Sequence, residues 1–88
     1  MVVKELQVRN KLGFHARVAS RITRSVSAFQ STVNVCKEGR RFDLKSGTGV
    51  MMANAKHGDV VTVEIDGPDE ETAAQALETL FAEKFGET

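Results

Sequence analysis

The run from Val60 to Asp66 constrains the whole chain. Val61, Val63 and Ile65 alternate with Thr62 and Glu64, so a strand here has one apolar face and one wet face. Such a strand needs cover on one side only, which argues against a sheet buried between two helical layers. The pattern recurs. From Val2 to Arg9, Leu6 and Val8 lie on one side, with Glu5, Gln7 and Arg9 on the other. Val33 and Val35 point inward between Thr32 and Lys37, and Phe42 and Leu44 do so between Arg41 and Leu44. Glu38-Gly39 separates these last two runs. A glycine there tolerates positive φ, so the pair reads as a hairpin.

Between the strands the apolar period changes. Ala19, Ile22, Val26 and Phe29 share one face of a helix expected from about Ala16 to Phe29. Ala73, Leu77, Leu80 and Phe81 form the stripe of a last helix. Asp69 is its expected N-cap, Glu70 and Glu71 suit the positive end of its dipole, and Lys84 and Gly86 suit its far end. Ser46 is a good N-cap for a helix that Gly47 and Gly49 keep short. The order is β-α-β-β-α-β-α. It predicts an α+β domain of two layers, a four-stranded antiparallel sheet covered on one face by three helices. With 88 residues, positions 1–88 fit a single domain. A domain this small buries only about 60–65% of the surface its unfolded chain exposes. Chemistry on the surface is therefore expected over chemistry in a walled pocket.

Charge narrows the function. Twelve basic residues balance twelve acidic ones, and tryptophan and tyrosine are absent. An RNA-binding α+β domain would need a basic excess and stacking aromatics, so no nucleic-acid partner is expected. Cys36 is the only cysteine; it has no disulfide partner and reads as a half-buried strand residue. His15, Cys36 and His57 lack the spacing of a zinc motif, so neither metal nor cofactor is expected. The Met1-Val2-Val3-Lys4-Glu5 start has no leader character and the apolar runs are too short to span a bilayer. A cytoplasmic protein without membrane insertion, working as a monomer, is the expectation.

His15 stands between a glycine loop and the first helix. Good N-caps carry a short side-chain oxygen, so histidine is a poor local choice. A poor choice at an exposed junction points to function. The junction offers unpaired N–H groups and a partial positive charge, which attract phosphate. Neutral imidazole is a nucleophile near neutral pH. Arg17 can set two aligned donors beside an oxyanion. Together these are the equipment for reversible phosphoryl transfer, which depends on positioning and charge stabilisation. Arg17, Arg21 and Arg24 fall on the helix face opposite the apolar stripe. On spacing alone that face is equally an ordinary solvated one. Ser46 is likewise open to two readings, a plain cap or a phosphorylation site at a helix start.

Asn10-Lys11-Leu12-Gly13-Phe14-His15-Ala16-Arg17 closely resembles the active-site segment of HPr, the histidine-containing phosphocarrier family of the sugar phosphotransferase system. Leu44-Lys45-Ser46 followed by Gly49-Val50-Met51 resembles the family's regulatory-serine segment, and the resemblance extends over about residues 2 to 85. It implies an open-faced β-sandwich. It implies that His15 takes phosphate on Nδ1 from phosphorylated enzyme I and passes it to a sugar-specific or nitrogen-branch enzyme IIA, with Arg17 neutralising the phosphoryl oxygens and no turnover of its own. Ser46 would be the target of HPr kinase/phosphorylase. Arg21, Arg24, Thr48, Met51 and Met52 become candidate partner contacts. A regulatory module controlled through Ser46 is the alternative, and the pairing of His15 with Arg17 favours the carrier. Val18 stands where the family usually has proline, and Gly47 and Thr48 where many relatives have large apolar side chains. The first departure implies altered transfer rates, the second altered partner recognition.

Overall fold

A computed structural model describes residues Met1–Glu87. Its elements follow the expected order: β1 (Val2–Gln7), α1 (Ala16–Val26), β2 (Thr32–Lys37), β3 (Arg40–Asp43), α2 (Gly47–Ala53), β4 (Val60–Asp66) and α3 (Glu70–Ala82), with a short 3-10 turn at Lys84–Gly86. The sheet order is β1-β4-β2-β3, and every neighbouring pair is antiparallel. Register brings like side chains together: Val61 lies opposite Leu6, Val63 opposite Val35, and Ile65 opposite Val33. This face meets the helices. Val33, Val35, Val61, Val63 and Ile65 are buried with Ile22 and Val26 of α1, Val50 of α2 and Leu77 and Phe81 of α3. The other face carries Glu5, Thr62, Cys36 and Arg41 in one row and remains exposed or half-exposed. The open-faced sandwich follows directly from strands that are apolar on one side.

Glu38 and Gly39 turn the β2–β3 hairpin with φ of 52° and 76°. Two consecutive left-handed residues are what a tight hairpin turn matched to the sheet twist requires. Lys4 shares the covered face of β1 but runs out along α3, where its Nζ lies 3.5 Å from Glu78. Its stem covers apolar surface while its charge remains in water.

Three expectations shift. β1 ends at Gln7, although Val8 still pairs, donating to Asp59 O and accepting from Gly58 N–H at 2.8 Å each. α1 ends at Val26, short of Phe29. Beyond Ser27 the α-helical ladder stops, Phe29 N–H turning to Val26 O at 3.1 Å, and the next amides, of Gln30 and Ser31, go to the Asp69 carboxylate, both at 2.9 Å. Asp69 is thus the positional N-cap of α3 without capping it by its side chain. Its carboxylate ties the end of the α1–β2 connection to the start of α3, and Ser31 Oγ donates to it at 2.5 Å. Glu70 serves the helix start instead, accepting from Gly67 N–H at 3.1 Å.

The Ser31 hydroxyl, followed by the Gln30 amide, holds the Asp69 carboxyl below its ordinary value of 3.8. A lowered native value means stability that is present above pH 3.8 and lost as pH falls through the native value. Asp69→Asn is expected to be less stable than the parent at neutral pH. The gap should close in thermal unfolding series taken below that pH; a gap independent of pH would contradict this role.

Candidate functional site

His15 is the N-cap of α1. Its backbone is extended, with φ −123° and ψ 179°, and its side chain makes no capping hydrogen bond. Two features hold it there. Phe14 is buried, and its N–H donates to Ala55 O at 2.8 Å. Gly13 has φ +66° and lies so close to the next loop that a Cβ would sit 2.5 Å from Ala55 O. The first intrahelical bond runs from Ala19 N–H to His15 O at 2.8 Å. The amides of Ala16, Arg17 and Val18 precede it and have no acceptor within the helix. Val18, unlike the proline usual in relatives, contributes one of these donors.

The imidazole, 27% exposed, is held from one side. Its Nε2 lies 2.8 Å from Oε1 of Glu87, a side chain only 12% exposed. The same oxygen accepts from Asn10 Nδ2 at 3.2 Å, and Oε2 lies 3.8 Å from Arg17 Nη1. The hydrogen bond from His15, more than the contacts from Asn10 and Arg17, holds the Glu87 carboxyl below the usual carboxylate range. Glu87 is therefore ionised at neutral pH and can only accept. It follows that Nε2 donates. In the neutral ring the proton sits on Nε2 and the lone pair on Nδ1, which has no hydrogen-bond partner among the described residues.

Glu87 reaches the site through a left-handed turn. Lys84, Phe85 and Gly86 have φ of 57°, 55° and 77°. Each non-glycine residue there costs about 1–2 kcal/mol. Two interactions offset this. Phe85 is buried against Phe81 and Phe14, with ring centroids 4.8 and 6.0 Å away, and Arg21 Nη1 donates to Phe85 O. Asn10 is also fully buried. Its side-chain Nδ2 donates to Gly13 O at 2.9 Å, and its backbone oxygen accepts from Gly13 N–H at 3.3 Å.

The expected site residues divide into two groups. His15 and Arg17 meet through Glu87, and a shallow hollow beside them is lined by Lys11, Leu12, Arg17, Arg21, Gly86 and Glu87. Arg17 and Arg24 are exposed, whereas Arg21 is half-buried and committed to the C-terminal turn. Ser46 is exposed, caps α2 and accepts from Gly49 N–H at 3.2 Å. Among the described residues it shares no hydrogen bond with the His15 cluster. Thr48, Met51 and Met52 are exposed on α2, the methionines by 44% and 58%. Cys36 is half-buried and His57 exposed. Among the described residues no group of three His, Cys, Asp or Glu side chains could hold a metal ion, and no helix is long and apolar enough to cross a membrane. Asn10 and Glu87 escape sequence reasoning because they come from opposite ends of the chain. The only local signal is Phe85-Gly86, an apolar residue four after Phe81 followed by a glycine.

Residues 2–83 match the family model described as the PTS HPr component phosphorylation site. The chain belongs to the HPr family. It is 46% identical to phosphocarrier protein HPr of Xylella fastidiosa over 87 residues, 99% of this chain and 98% of that protein. It is 45% identical to HPr of Cupriavidus necator over the same coverage. The crystal structure of an HPr from Thermoanaerobacter tengcongensis, 36% identical, superposes with a TM-score of 0.95 over 100% of this chain and 99% of that one. As an HPr the chain is a phosphocarrier of the phosphotransferase system, without catalytic turnover of its own.

Because Gly13 seats the loop that presents His15, Gly13→Ala is expected to destabilise the fold by more than about 1 kcal/mol, through positive φ and the clash with Ala55. It should also slow phosphoryl acceptance. Chemical denaturation alongside a transfer assay checks this, and unchanged values in both would contradict it.

Proposed function

We propose that His15 Nδ1 accepts a phosphoryl group from phosphorylated enzyme I and delivers it to an enzyme IIA. The observation that supports this most is the orientation of one ring. Nε2 is engaged by Glu87 at 2.8 Å while Nδ1 is unpartnered among the described residues, on the residue that caps a helix whose first amides, of Ala16, Arg17 and Val18, have no acceptor within it. A phosphoryl group there would meet backbone donors and the positive end of a helix dipole. Arg17, with a side chain 70% exposed and only a 3.8 Å contact to Glu87, is free to turn onto the phosphoryl oxygens. Phosphoryl transfer asks mainly for positioning and charge stabilisation, and a surface site of this kind supplies both.

Arg21, Arg24, Thr48, Met51 and Met52 are the proposed partner contacts. Exposed methionines repack readily against different surfaces, which suits a carrier with more than one partner. Arg21 would contribute as a charge held in place by the C-terminal turn. Sugar-specific and nitrogen-branch acceptors use the same chemistry at His15. Ser46 is the proposed regulatory site for HPr kinase/phosphorylase. Its exposed hydroxyl at the start of α2 supports this reading, because a phosphate there adds charge without unfolding the helix. The carrier would work as a cytoplasmic monomer.

Incubation with phosphoenolpyruvate and enzyme I is expected to give one acid-labile phosphate, absent in His15→Ala. An unlabelled parent, or equal labelling of His15→Ala, overturns the carrier reading. Arg17→Ala should accept phosphate about a hundredfold more slowly, the scale for loss of one preorganised donor to developing charge. With ATP and the kinase, labelling that survives Ser46→Ala overturns the regulatory site.

A further inference from the structure

The Asn10–Glu87–His15 chain has a consequence for the proton on the ring. Glu87 Oε1 receives two donors, Asn10 Nδ2 at 3.2 Å and His15 Nε2 at 2.8 Å. Asn10 is fully buried, and its Nδ2 is shared between Gly13 O and Glu87 while its Oδ1 has no partner among the described residues. An amide with its acceptor unpaired in the interior is a costly arrangement. Here it aims both available donor bonds at the loop carrying His15 and at the carboxylate opposing it. The left-handed turn at Lys84–Gly86 adds a second cost, and it directs Glu87 to this point.

We propose that Glu87, held by Asn10, is a positioning residue that keeps a proton on His15 Nε2 throughout the phosphoryl-transfer cycle. The inference rests on the carrier reading above. The form that reacts is the neutral ring, with hydrogen on Nε2 facing Glu87 and the lone pair on Nδ1. On acceptance, that pair forms the N–P bond. The bond between phosphorus and the donor breaks, and its pair leaves with the donor atom. The ring then carries phosphorus on Nδ1, hydrogen on Nε2 and one positive charge, which faces the Glu87 carboxylate. On delivery a nucleophilic atom of the acceptor gives its pair to a new bond with phosphorus as the N–P bond breaks and that bond's pair returns to Nδ1. No proton enters or leaves at either step. A phosphorylated ring that kept no proton on Nε2 would be neutral and a poorer leaving group. The two carboxylate oxygens divide the work. Oε1 holds the ring, and Oε2 holds Arg17 loosely enough to release it to the phosphoryl oxygens.

The test is direct observation of the Nε2-bound proton in the full chain carrying ¹⁵N-histidine, at mildly alkaline pH, where an unprotected imidazole N–H exchanges with water too fast to detect. The expected result is a one-bond ¹⁵N–¹H signal at Nε2 of His15 in the parent, both before and after phosphorylation. It should vanish in Glu87→Ala and Glu87→Gln. The rate constant for delivery within the complex with enzyme IIA should fall about tenfold or more, with Kd for the acceptor unchanged, and Glu87→Asp should recover part of both signal and rate. A parent lacking the signal overturns the proposal. So does a Glu87→Ala chain that retains the signal and the parental delivery rate. The signal is read first without any phosphoryl donor. A chain that shows it but accepts no phosphate overturns the carrier reading, and with it the transfer cycle built on that proton.

Discussion

Phe14, Phe81 and Phe85 meet edge to face, with centroid separations of 4.8 to 6.1 Å. Edge-to-face pairs contribute about 0.5–1.5 kcal/mol beyond the area they bury. Their arrangement matters more than their sum. Phe14 immediately precedes His15, and Phe85 is two residues before Glu87, while Phe81 belongs to α3 and fixes both to the core. The two arms of the site, far apart in sequence, are therefore set against each other by one aromatic cluster. Without it the turn at Lys84–Gly86 would have little to offset its backbone conformation, and the carboxylate opposite His15 would have no fixed place.

On the proposed reading, this arrangement explains how a domain with a single core layer performs controlled phosphoryl chemistry at its surface. No deep pocket is needed if the nucleophile is already oriented. One side of the imidazole is hydrogen-bonded to Glu87, the ring belongs to the N-cap of a helix, and the Arg17 guanidinium is exposed beside it. Partners would then have only to bring phosphorus in line with Nδ1. An exposed, adaptable face around Arg24, Met51 and Met52 is compatible with that demand.

The layer architecture was legible because side-chain period is a local property. Val61, Val63 and Ile65 show on their own that β4 is covered on one face, and the register with β1 and β2 only completes the argument. His15 was legible as an ill-suited cap, and Arg17 as its neighbour two residues on. Asp69 shows the limit of local reading. A short acidic side chain at a helix start reads as a cap, yet its carboxylate is taken by amides 38 and 39 positions away. Arg21 reads as one member of an exposed basic face, but the carbonyl of Phe85 draws it inward. Asn10 and Glu87 could not be placed by pattern, since their roles exist only once the chain's two ends meet.

We propose that the fold leaves one nitrogen of His15 free to react. This is tested most directly by phosphorylating ¹⁵N-histidine-labelled protein and measuring ³¹P–¹⁵N coupling within the ring. Coupling to Nδ1 of His15 is expected, with Nε2 still bonded to hydrogen. Coupling to Nε2 would contradict the account, because Glu87 would then have to leave the ring before the chemistry begins.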